Sequence, residues 1–177
     1  HGSRGPIPVR RYKKEDLLPV NKAFWDACVA KGFPATEDHN HPDSYGVGSK
    51  PLNNINGLRM STSLTYLNPV RQRLNLTVRG DVLVRKLLSE GIQIIGIEAE
   101  SSGEIFKLYA KEVILCGGAI NSPQLLMLSG IGPSDHLNEH DVDIIRDLPG
   151  VGQNLRDHPQ VSVIYKTKIQ TQKGTMP

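Results

Sequence analysis

Residues 112–132 read Glu112-Val113-Ile114-Leu115-Cys116-Gly117-Gly118-Ala119-Ile120-Asn121-Ser122-Pro123-Gln124-Leu125-Leu126-Met127-Leu128-Ser129-Gly130-Ile131-Gly132. The first five residues are a nearly continuous apolar run, which suits a strand buried on both faces. Gly117-Gly118 ends it. Ser122 is a suitable helix N-cap, and Pro123 fits the first helical position, where a missing N–H costs nothing. Leu125, Leu126 and Leu128 are helix-forming core residues. Gly130 caps the far end, and Gly132-Pro133 forbids continuation. The expected unit is strand, glycine turn, short helix beginning near Ser122, glycine stop. Glycines at a strand's carboxyl end let a backbone or ligand approach closely, because no Cβ intervenes. Cofactors commonly sit at that end of a sheet.

Upstream, aliphatic runs at 75–79, 82–88, 92–99 and 104–116 alternate with Gly80-Asp81, Ser89-Glu90-Gly91 and Ser101-Ser102-Gly103-Glu104. The alternation predicts a β-meander. Val20, Ala23, Phe24, Ala27 and Ala30 recur at helical spacing, predicting a helix from Pro19 to Lys31 that Gly32 stops. A shorter helix is expected from Ser61 or Thr62 to Leu67, ended by Asn68-Pro69. Residues 6–12 suit a short extended piece, and 34–57 a long irregular loop with at most one short strand. The fold class is mixed α/β (α+β).

The 177 residues include 38% hydrophobic and 22% charged positions, a folding composition. Net charge is +3, from 21 basic and 18 acidic residues interspersed along the chain, and aromatics are only 5%. Neither a basic nucleic-acid footprint nor an aromatic stacking platform is present, so no nucleic-acid partner is expected. No apolar run reaches the roughly 20 residues of a membrane span. No signal peptide opens the chain, so a cytoplasmic rather than secreted location is the expectation. Cys28 and Cys116 make no disulfide scaffold and read as two buried small hydrophobes.

Residue identities carry the reading further. Gly118-Ala119-x-x-Ser122-Pro123-x-Leu125-Leu126-x-x-Ser129-Gly130-Ile131-Gly132 resembles, at every defined position, the second signature of the glucose–methanol–choline (GMC) family of flavin oxidoreductases. Leu148-Pro149-Gly150-Val151-Gly152-Gln153-Asn154-Leu155-Arg156-Asp157-His158-Pro159 is similar to another family string. So are Gly57 through Leu67, Arg73 through Val78, and the opening His1-Gly2 through Gly5-Pro6. The resemblance covers nearly the whole chain, in order, and lies nearest the choline and alcohol dehydrogenase branch.

The resemblance implies an FAD-dependent enzyme that oxidises a small-molecule alcohol by hydride transfer to flavin N5. A histidine acts as base, and oxygen or another acceptor takes the electrons. It implies that 1–57 is a segment of an antiparallel-sheet substrate lobe. Residues 58–158 are a segment of a discontinuous FAD-binding lobe containing the meander. Residues 159–177 re-enter the substrate lobe, with Val161-Ser162-Val163-Ile164-Tyr165 as a strand. Val84 aligns with a position whose backbone contacts the adenine. Gly117 and Gly118 align with backbone passing close to FAD, with Cys116 beside them. Family members are several times longer, so an internal fragment is expected. The family's glycine-rich pyrophosphate turn would precede His1, and its catalytic histidine would follow Pro177. The remaining segments of the same enzyme are then partners, and this chain by itself carries no catalytic residue.

Other residues read as structural. Asp157 and His158 are adjacent and point to opposite faces of an extended chain. Asp38, His39, His41 and Asp43 lie in a polar loop without metal-ligand spacing. Asn75-Leu76-Thr77 is a glycosylation triplet in an expected strand, and Arg10-Arg11-Tyr12-Lys13-Lys14 is a solvated face. A hydrolase would need a nucleophile in a Gly-x-Ser-x-Gly turn, which the chain lacks. The competing reading is a non-catalytic GMC-like scaffold that has lost the flavin and serves binding or assembly.

Overall fold

The computed structural model describes residues 4–164. They divide into two compact units, one holding residues 4–78 with Ile164 and the other Arg79–Val163.

In the first unit, α1 spans Pro19–Ala30, with Pro19 at its start. Lys31 ends it and Gly32 follows at φ +88°, where a β-carbon would be strained. The expected helix is therefore present, but none of its residues is buried, and Phe24 is 67% exposed. The region 34–57 is tied down at three places. Arg10 bridges Leu52, Ala35 bridges Val47, and β1 (Asn54–Ile55) pairs with β2 (Leu58–Arg59). A π-helical turn at Ser63–Leu67 runs straight into a 3-10 turn at Asn68–Val70. Asn68-Pro69 was expected to stop the helix. The π-helical turn does end at Leu67, and Pro69 falls at the start of the separate, tighter turn, where its missing N–H is not needed.

One carboxylate of this unit is electrostatically fixed. The Asn40 backbone N–H donates to Asp38 Oδ1 at 3.0 Å, and Arg11 Nη2 lies 2.6 Å from the same oxygen. The Asn40 amide, then the Arg11 guanidinium and His41, hold the Asp38 carboxyl below its usual range. A lowered folded pKa stabilises above the unfolded carboxylate value of about 3.9 and is lost as pH falls through the folded value. Hydrogen exchange of the Asn40 amide, corrected for intrinsic rate, should therefore stay protected through neutral pH and open only below about pH 4. In Asp38→Asn that acid transition should disappear. An unchanged profile would remove this account.

The second unit is built on an antiparallel meander of β3 (Leu83–Glu90), β4 (Gln93–Ser101) and β5 (Glu104–Tyr109), in that order. Two-residue turns join them. Ser102 and Gly103 both take positive φ, at 52° and 83°, the requirement of the type I′ hairpin whose twist matches the strands. The expected meander is thus present, but two of its strands are not as expected. Residues 75–79 form no ladder, and Leu74-Asn75 sit in a turn. β5 ends at Tyr109, and its pairing closes with the Ala110 N–H on Ile95 O. Residues 111–116 have no strand partner among the described residues, and Ile114 is 77% exposed. Aliphatic composition marks both stretches as able to join a sheet, but a ladder also needs a neighbour.

Helix α2 spans Gly118–Leu128, with Gly117 as its N-cap. It begins four residues before Ser122, and Pro123 lies inside it. The helix forgoes the Pro123 N–H bond and gains a turn wound directly onto the glycine pair. Gly130 follows its end at φ +77°. Beyond it, β6 (Ile131–Gly132) pairs in parallel with β7 (Arg146–Asp147) across α3 (Ser134–Glu139). None of these three elements is expected from the sequence pattern. Of the expected strand 161–165, residues 161–164 have no regular structure and Tyr165 lies outside the described residues. His1 and Gly2 do too. The core of the unit is small: Leu87, Ala99, Ile131 and Leu137 are buried. No helix among the described residues is long and apolar enough to cross a membrane.

Candidate functional site

The site is a cleft of about 860 Å³ in the second unit. One wall is the start of β3, from Val82 to Arg85. The facing wall is the extended segment 113–117 and α2 through Leu128. The volume falls within the roughly 300–1,000 Å³ of small-molecule and cofactor sites. Val84, Ile97, Val113, Leu115 and Leu125 make it predominantly apolar, while Asn121, Ser122, Gln124 and Arg85 supply hydrogen-bonding groups. Arg85 is partly committed, with Nη1 2.5 Å from Glu100 Oε2.

The structure brings Val84 and Gly117 onto this one cleft. Val84 is half-buried in β3, opposite Ala99, beside an irregularity in the ladder between Val84 and Lys86. Gly117 has φ −75°, a conformation open to any residue, but a β-carbon there would lie 3.2 Å from Asn121 Cβ. Gly118 lies at the base of the turn, not on the cleft lining. Its φ is +83°, and nothing stands within 4 Å of where a β-carbon would be. The open side allows close approach by another group, while the dihedral requires glycine in any case.

That dihedral shapes the expected behaviour of Gly118→Val. A β-branched residue held at positive φ costs about 1–3 kcal/mol, whatever occupies the space beside it. The substitution should lower the thermal midpoint of the flavin-free protein as well as its capacity for FAD. A flavin-free midpoint equal to wild type would show that the turn relaxes and that space alone matters.

The cysteines depart from expectation. Cys116 is exposed on the cleft, Cys28 is half-buried, and both are free. Cys116 follows its neighbours: among the described residues the apolar run around it has no second strand that would bury it. Asp157 and His158 are both exposed, and the His158 N–H donates to Asp157 Oδ1 at 2.7 Å. No group of three or more metal-ligating side chains occurs among the described residues.

Ser129 is a residue that motif reading valued only as part of a signature. It is 5% exposed, and its Oγ accepts the Leu87 N–H at 2.8 Å and donates to Leu125 O at 2.6 Å. A serine next to a glycine helix stop gives no sequence signal of a bond to a strand 42 positions away.

Comparison with known proteins identifies the family. The profile of the GMC oxidoreductase family matches residues 2–160. A GMC-type oxidoreductase of Rhodococcus erythropolis is 41% identical over 165 residues, 93% of this chain and 34% of that protein. The mitochondrial choline dehydrogenase of Mus musculus is 45% identical over 163 residues, 92% of this chain and 27% of that protein. Among solved structures, pyridoxine 4-oxidase from Mesorbium loti superposes with a TM-score of 0.79 at 36% identity. It covers 84% of this chain and 29% of its own. An FAD-dependent oxidoreductase from Chaetomium thermophilum gives 0.76 at 29% identity, over 84% of this chain and 26% of its own. The chain thus spans about a third or less of the length of the relatives it matches. With nearly all of its sequence matched and its fold shared, the chain belongs to the GMC oxidoreductase family, whose cofactor is FAD.

Proposed function

We propose that the protein containing this chain oxidises a small-molecule alcohol, and that the chain's contribution is to hold FAD. The observation that carries this reading is the cleft, with Val84 on one wall and Gly117 on the other. Its size and apolar lining suit a flat heterocycle, and its four polar side chains suit a few orienting hydrogen bonds. The open side of Gly118 suits the close passage of a ligand. Among the described residues no carboxylate or imidazole lines the cleft, which favours a binding role for it over proton transfer. When bound, FAD supplies the two-electron acceptor for the hydride that leaves the carbinol carbon. Val84 and its β3 neighbours exclude water on one side, and the 113–117 segment does so on the other.

The lobe division belongs to the same proposal: 1–57 and 159–177 to a substrate lobe, 58–158 to the FAD lobe. The alcohol class is supported by two relatives named for choline and pyridoxine, both of which carry primary hydroxyls. The proton acceptor and the reoxidant, oxygen or another, belong to the whole protein.

The test is the visible spectrum of the whole protein. Stoichiometric flavin absorbance is expected, and anaerobic addition of choline or simple primary alcohols should bleach it. Val84→Asp, which places a carboxylate on the apolar wall, should lower flavin occupancy at least tenfold, about 1.4 kcal/mol. A colourless protein that refuses FAD would overturn the reading in favour of a scaffold. Flavin retained but never bleached would overturn the alcohol class alone.

A further inference from the structure

We propose that Ser129 is a positioning residue that sets the width of the cofactor cleft, an inference resting on the reading of that cleft as part of the FAD site. Among the described residues β3 pairs with β4 on one side and with no strand on the other. On its other side the Leu87 N–H has no strand to bond, and Leu87 is only 6% exposed. Ser129 Oγ accepts that N–H at 2.8 Å. The same hydroxyl donates to Leu125 O in the last turn of α2 at 2.6 Å. One oxygen thus joins the two walls of the cleft, since Val82 to Arg85 precede Leu87 on β3 and Leu125 lines the opposite face.

The join lies just beyond the cleft and touches nothing that would bind there, because Ser129 and Leu87 are absent from its lining. Ser129 therefore acts through the walls. The hydroxyl is used as donor and acceptor at once, so its geometry is determined from both sides. Alanine removes both bonds and leaves the Leu87 N–H buried without its partner. The walls then lose a directional join that apolar packing does not replace.

The experiment measures the rate of FAD release from the loaded whole protein, well below its thermal midpoint. Ser129→Ala should release FAD at least tenfold faster than wild type, and Ser129→Thr, which keeps the hydroxyl, should release it nearly as slowly. Leu137→Val serves as the control, because it destabilises the same unit from a buried position outside the cleft. It should release FAD at the wild-type rate. Ser129→Ala releasing no faster than Leu137→Val would overturn the proposal and leave Ser129 a packing residue. Should Ser129→Ala fail to fold, hydrogen exchange at Leu87 in the wild type decides. Slowing of at least tenfold on FAD loading supports the coupling, and no change overturns it. A wild type that takes up no FAD at all would remove the function proposed above, and this inference with it.

Discussion

Gly130→Ala should lower the stability of the second unit by roughly 2–6 kcal/mol, about 1–3 from backbone strain and a similar amount from overlap. Gly130 is at φ +77°, and a β-carbon there would lie 2.2 Å from the Asp143 carbonyl oxygen. No side-chain rotation relieves this contact, because the obstacle is backbone. Nor can the residue move freely. Its own carbonyl accepts the Ile145 N–H at 2.8 Å and the Arg146 N–H at 3.1 Å, at the entry to β7. Shifting Gly130 therefore strains the β6–β7 pair as well as the end of α2. Gly150→Ala is the matched control, since it has no positive φ and open space beside it. It should stay near wild type or gain up to about 1 kcal/mol from a less flexible unfolded chain. Chemical denaturation of wild type and both variants measures the difference. Equal midpoints for Gly130→Ala and Gly150→Ala would show that the 130–147 segment yields.

The same glycine illustrates what was legible in the chain. Gly130 as a helix stop, Gly32 as another, and Ser102-Gly103 as a hairpin were all readable, because each is a local conformational demand that few residues meet. The cleft was partly readable for a similar reason: Gly117 and Val84 were singled out, and both line it. Non-local requirements were not readable. Residues 75–79 and 111–116 have strand-forming side chains, but a strand exists only where a second strand offers its N–H and C=O groups. The start of α2 was misplaced because Ser122-Pro123 is a sound cap signal that met a competing one. Gly117-Gly118 could turn the chain earlier, and the added turn outweighed one lost hydrogen bond at Pro123. Ser129 escaped because its importance lies in a partner 42 positions away.

Short α3 shows the converse, an element that no periodic pattern announces but that one side chain secures. A six-residue helix is far below the roughly 12–15 residues at which isolated helices become marginal in water. Its anchor is Leu137, 2% exposed, the largest fully buried side chain among the described residues. Both Leu137 methyl carbons reach 3.8 Å from the position of a β-carbon on Gly132 in β6. Its carbonyl accepts the His140 and Val142 N–H groups that turn the chain back towards β7. Leu137→Ala should therefore cost about 3 kcal/mol, within the roughly 2–5 typical of buried leucine truncation. It should also loosen α3 more than the meander, which packs around Leu87 and Ala99. Hydrogen exchange resolves the two effects. The Val142 amide should speed up by more than the global loss of stability accounts for, while the amides of β4 should follow the global change alone. A loss below about 1 kcal/mol, with Val142 still protected, would mean that the site collapses onto the missing methyls and that α3 is held by its backbone turns rather than by its one buried leucine.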